Sequence, residues 1–138
     1  MPEVKTKLTA ASVDDFLEAI ENDQVRDDCR TIAGIMEKAA KALPRMWGTS
    51  IVGIGTQRST YASGREAHWL LTAFSPRQQN ITLYLGHLDE QRDLLDTLGT
   101  HSCGKGCLYI KRLSDVHLPT LTKLVKSSVA LARKSQRS

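Results

Sequence analysis

At 138 residues, 41% apolar and 25% charged, the chain has the size and make-up of one globular domain that can bury a core without a metal or disulfide staple. No stretch approaches the roughly 18 apolar residues of a membrane span, and the polar residues 1–11 lack the apolar core of a secretory signal, so the expectation is a single cytoplasmic domain with no membrane contact. The net charge of +4 is uneven: residues 1–28 hold eight acids against three bases (−5), and residues 29–138 hold seven against sixteen (+9).

Ser12 precedes Val13, Phe16, Leu17 and Ile20, which recur at helical spacing, and Asp15 follows Ser12 by three as in a capping box. This predicts a short amphipathic helix whose outward face gathers Asp14, Glu18 and Glu21, with Asp15 beside them. A solvated acidic face is the plain reading of that ridge. A second helix is predicted over 25–43, with Cys29, Ile32, Met36, Ala39 and Leu43 on its inner stripe and Pro44 as its stop. Cys29 on that stripe reads as a structural thiol.

From residue 51 onward the pattern becomes strand-like. Ile51, Val52 and Ile54 are β-branched, 61–65 turns over at Gly64, and 67–74 and 80–85 are strand candidates parted by a turn at 75–79. Four segments with such short connections predict an antiparallel meander. A third helix capped by Asp89 carries Leu94, Leu95 and Leu98 and ends at Gly99. A fifth strand is predicted over 107–112, and Leu118-Pro119 opens a last helix with Leu121, Val125, Ser128 and Ala132 inward. The predicted order is ααββββαβα in one domain, with residues 1–11 and 134–138 as flexible ends.

The densest chemistry lies at His101-Ser102-Cys103-Gly104-Lys105-Gly106-Cys107. Gly104-Lys105-Gly106 lacks the length, the Ser or Thr, and the following helix of a phosphate loop. It fits either a generic anion site or a simple chain reversal into the fifth strand. His101, Cys103 and Cys107 are zinc-type ligands without a fourth at knuckle spacing. With no export signal, Cys103 and Cys107 read as free thiols, and a bridge or a redox role is the alternative. No nucleophile stands with a framed base and acid, so no enzyme is expected. The basic tail, Lys123 to Arg137, has no interleaved aromatics and no recognition motif, so nucleic acid is not an expected partner.

Several of these features together resemble the YdhG-like family of small bacterial domains. They are the proline-ended second helix before Trp47-Gly48, the Gly64 tip, Trp69 to Phe74 followed by Asn80-Ile81-Thr82-Leu83-Tyr84, and Gly104-Lys105-Gly106-Cys107-Leu108-Tyr109-Ile110 before Leu118-Pro119. The resemblance covers roughly residues 13–132. It implies a frataxin-like α+β sandwich, with helices on one face of a curved antiparallel sheet of about five strands. Some relatives in that fold are described as iron chaperones, which would place iron at Asp14, Asp15, Glu18 and Glu21. A net basic chain of pI near 9.1 departs from that pattern.

Two functional expectations follow. The first is a non-enzymatic module that binds a small ligand or a protein through Trp47, Tyr61, Trp69 and Tyr109 with Lys105, Lys111 and Arg112 beside them, because aromatics beside cations suit an anionic or planar ligand. The second is the iron chaperone. No other cofactor is expected, and the oligomeric state, a homodimer included, is left open by the sequence.

Overall fold

The structure is a computed structural model that describes residues 12–48, 50–60, 66–104 and 106–136, with the side chains of 57–60, 66–69 and 135–136 outside that description. Helix α1 (Val13–Glu18) starts where the Ser12 hydroxyl accepts a hydrogen bond from the Asp15 amide at 3.1 Å. Helix α2 (Asp23–Ala40) is capped by the Asn22 side chain on the Val25 amide and buries Cys29, Ile32, Ala33, Met36 and Ala40. Lys41 ends α2 in a left-handed conformation (φ 55°). The helix therefore stops short of the expected 43, and Leu43, expected on the inner stripe, is 78% exposed. The reason is Pro44: besides forbidding a helical Leu43, it opens a strand, so the chain must turn before it.

Six antiparallel strands follow: β1 (Pro44–Trp47), β2 (Ile51–Thr60), β3 (Glu66–Pro76), β4 (Ile81–Tyr84), β5 (Ser102–Gly104) and β6 (Cys107–Ile110). They lie in the order β1-β2-β3-β4-β6-β5. Pro44 is tolerated because it is the first residue of an edge strand. The sheet thus has six strands where about five were expected. Neither edge strand was expected: β1 starts at the proline read as a helix stop, and β5 is three residues long and ends in glycine, too short to show alternation in sequence. Residues 61–65, including the expected tip at Gly64, lie outside the described residues.

The expected third helix divides into a 3-10 turn (Leu88–Glu90) and α3 (Arg92–Asp96). Gly99 has φ +116°, and a Cβ there would lie 2.5 Å from the Asp115 carbonyl, so both conformation and contact require glycine. A second 3-10 turn (Leu113–Asp115) leads into α4 (Leu118–Gln136), which buries Leu121, Val125, Ser128 and Ala132 as its spacing foretold. Its last turn takes in residues 134–136.

The main core lies between α1, α2 and α4 and one face of the sheet, with Met46, Val52, Ile54, Phe74, Ile81, Leu83, Leu108 and Ile110 inward. A smaller cluster on the opposite face holds Trp47, Leu70 and Ala73, with Ile51 and Tyr84 against it, all from strands. Gly55 switches the faces. Its left-handed φ of +73° breaks the alternation of β2, so a Cβ there would meet Leu71 and Ala40 of α2, while Leu70 turns to the Trp47 side. The described architecture is α+β: an open antiparallel sheet with four α-helices among the described residues. None of those helices is long and apolar enough to cross a membrane.

Candidate functional site

The β5–β6 hairpin sets Ser102 opposite Tyr109, Cys103 opposite Leu108 and Gly104 opposite Cys107. Because side chains alternate, Cys103 shares a face with the buried Leu108, and Cys107 points to the other face beside Tyr109. Both thiols are free, as is the buried Cys29. Burial raises the pKa of Cys103. The Tyr109 hydroxyl is also raised, first by its hydrogen bond with the Cys107 thiol. The Tyr109 ring lies over Gly104, where a Cβ would come within 2.8 Å of the phenolic oxygen. His101 hydrogen-bonds through Nδ1 to the Gly99 carbonyl at 2.8 Å and shares a cleft of about 440 Å³ with Cys103, Asp89, Arg92 and Asp96.

Among the expected ligand residues, the structure brings Tyr109 and Lys111 together. They line a cleft of about 350 Å³ with Gln79, Asn80, His101, Ser102 and Asp115. Lys111 and Gln79 also line an adjoining concavity of about 380 Å³ with Arg112, Asn22, Gln24 and Val25. That one in turn shares Asn22 and Val25 with a third, of about 580 Å³, walled by Phe16, Ala19, Ile20, Pro76 and Arg77. The three are neighbouring parts of one grooved surface around the β3–β4 turn, from the hairpin to the α1–α2 elbow.

Three cations border this groove. Arg77 donates to the Tyr84 hydroxyl at 2.7 Å, a neutral partner that leaves its charge uncompensated. Lys111 and Arg112 make no ion pair with any described carboxylate. Asp28, the acid nearest in role, instead accepts from the Leu113 amide at 3.1 Å and caps the second 3-10 turn.

Trp47 sits apart, 5% exposed with its indole pressed on Gly53, where a Cβ would be 2.5 Å from Cδ1. It borders a separate concavity of about 470 Å³ with Arg45, Leu43 and Thr56. Tyr61 and Lys105 lie outside the described residues. Trp69 is paired with Gln57 in the β2–β3 register, but its side chain lies outside them.

On the acidic ridge, Arg30 of α2 spans two of the four carboxylates, hydrogen-bonding Asp14 at 3.2 Å and also Glu18. These contacts, Asp14 first, raise the pKa of the guanidinium. Asp15 and Glu21 are exposed. Among the described residues no three His, Cys, Asp or Glu side chains group so as to hold a metal ion.

Sequence reasoning missed Arg77, Gln79, Asn80 and Ser102, whereas Arg112 stood beside Lys111 in the expected cationic set. Arg77 and Gln79 stood in a stretch read only as a turn and Asn80 opened a predicted strand, yet Arg77-Gln78-Gln79 is an unusually polar, cationic hairpin tip and was the available signal. Comparison with known proteins found no matching family model, curated protein or solved structure.

Proposed function

We propose that this chain is a non-enzymatic binding module for an anionic ligand, held in the groove between the β5–β6 hairpin and the β3–β4 turn. One observation carries the reading: Lys111 and Arg112 line one concavity and Arg77 the neighbouring one, all three without a carboxylate partner among the described residues. Cations held close together repel one another, and an anion seated between them relieves that repulsion. Tyr109, Ser102, Gln79 and Asn80 supply neutral hydrogen-bonding groups at the hairpin end, as a site that orients its ligand requires. Asp115 at that end leaves Lys111 and Arg112 as the charge-bearing part.

The frataxin-like form of the α+β architecture, membership of the YdhG-like family and a cytoplasmic location belong to the same proposal. They rest on the sequence features quoted above and agree with helices on one face of an antiparallel sheet.

Calorimetric titration with citrate, a compact trianion, tests the reading. Binding at low salt that weakens as salt rises, and that is lost in a Lys111→Ala/Arg112→Ala variant of unchanged melting temperature, supports it. No heat from the wild type refutes it. The iron alternative uses Asp14, Asp15, Glu18 and Glu21, where Arg30 already occupies two carboxylates. Anaerobic titration with Fe(II) excludes that alternative if the wild type gives no heat, or if a variant with all four carboxylates amidated gives the same heat.

A further inference from the structure

The cationic concavity of Lys111 and Arg112 does not end at a polar wall. It shares the walls Asn22 and Val25 with the chamber of about 580 Å³, whose lining is largely apolar: Phe16, Ile20, Val25 and Pro76. Phe16, Ile20 and Val25 are partly buried and pack against the core from the α1–α2 elbow, so the chamber is set into the elbow. Its charged lining residues are Glu21 and Arg77. A small inorganic anion would fill the cationic part and leave this apolar surface wetted.

We infer that the groove takes an anionic amphiphile, with its charged head between Lys111 and Arg112 and its apolar body in the chamber of Phe16, Ile20, Val25 and Pro76. This rests on the anion-binding reading and adds the ligand's second half. Each part of the groove lies within the roughly 300–1,000 Å³ typical of small-ligand sites. An extended peptide is disfavoured by the topology. At the chamber the neighbouring strands, β3 and β4, are interior to the sheet and offer a peptide no main-chain pairing there; the free edge of β5 lies at the opposite, hairpin end.

The test is calorimetry of the whole chain with three probes: citrate, butyrate, and decanoate below its micellar concentration. Decanoate should bind more tightly than butyrate by on the order of tenfold or more, because its longer chain removes more apolar surface from water. Ile20→Ser should weaken decanoate and leave citrate unchanged. Lys111→Ala/Arg112→Ala should weaken both. The chain-length comparison on the wild type holds whether or not the Ile20 variant folds.

Equal affinity for butyrate and decanoate, with citrate still bound through Lys111 and Arg112, overturns the amphiphile and leaves the anion reading standing. If neither citrate nor decanoate binds, both fall. Decanoate binding that is indifferent to the Lys111 and Arg112 substitutions also overturns the inference. So does capture by vesicles of anionic phospholipid, or by an acidic peptide, without binding of free decanoate.

Discussion

Single side chains in this protein are fixed by close approach. Burial, with Asp28 adding to it, pushes the Cys29 thiol from its ordinary 9.0 up to about 12. Below pH 9 the thiol is protonated in the folded and unfolded states and adds no pH dependence. Above pH 9 the unfolded chain loses this proton while the folded chain keeps it until about 12. Stability should therefore fall across that window, by up to about 1.4 kcal/mol per pH unit from this group. Urea melts of wild type and Cys29→Ala between pH 8 and 11 check the sign, since the variant should lose that component of the slope.

Glycine makes the same point without charge. Gly99→Ala puts a methyl group 2.5 Å from the Asp115 carbonyl at φ +116° and should cost about 1–3 kcal/mol or more, seen as a lower urea midpoint at unchanged m. Gly53→Ala, driven against the Trp47 indole, should cost about 1–3 kcal/mol and shift the tryptophan emission. The inward place of Cys29 was legible from helical spacing. The need for glycine at 53 was not, because its cause is an indole from the neighbouring strand.

At the level of elements, the β5–β6 hairpin decides the fate of two thiols that sequence left open between free, bridged and redox roles. In register Cys103 faces Leu108 and Cys107 faces Gly104, on opposite sides of the sheet, so their Cβ vectors diverge and a bridge would require the strands to shift. Mild oxidation should leave both thiols titratable, with Cys103 and Cys107 modified in the folded chain and Cys29 only on unfolding; mass spectrometry after alkylation reads this directly. A second link joins α4 to the turn after β4. The Ser128 hydroxyl donates to the Gly86 carbonyl at 2.9 Å and accepts from the Gln91 amide at 3.1 Å, with Ser128 only 3% exposed. Ser128→Ala should cost about 0.5–1.5 kcal/mol in a chemical melt, because the Gly86 carbonyl loses its hydroxyl donor and the Gln91 amide keeps only the His87 carbonyl, at 3.1 Å. Ser128 was legible as an inward position of the last helix. Its partners, 37 and 42 residues earlier, were not.

Over the whole molecule, charge is sorted between layers. Glu66, the first residue of β3, is the one acid in the six strands, and the other acids of the described residues lie on the helices and connections. Arg77, Lys111 and Arg112 stand at the ends of strands, where few acids can reach them. A ligand that binds there binds only the folded chain, so citrate at 100 times its dissociation constant should raise the stability by about 2.7 kcal/mol, and added sodium chloride should erode that gain. Thermal melts at two salt concentrations measure both effects.

The sequence by itself determined the helices with strong apolar periodicity, the antiparallel meander, the glycine after the third helix and the charge asymmetry between the N-terminal segment and the rest. These are local or short-range patterns, carried by spacing and by backbone chemistry. Only the tertiary structure decided that Pro44 begins a strand, that Ser102 to Gly104 pairs as an edge, and that Arg30 takes Asp14 and Glu18. It alone brought Lys111 and Arg112 beside the apolar wall of Phe16, Ile20 and Val25. Contacts between residues far apart in the chain depend on how the layers are stacked, and no local pattern records that.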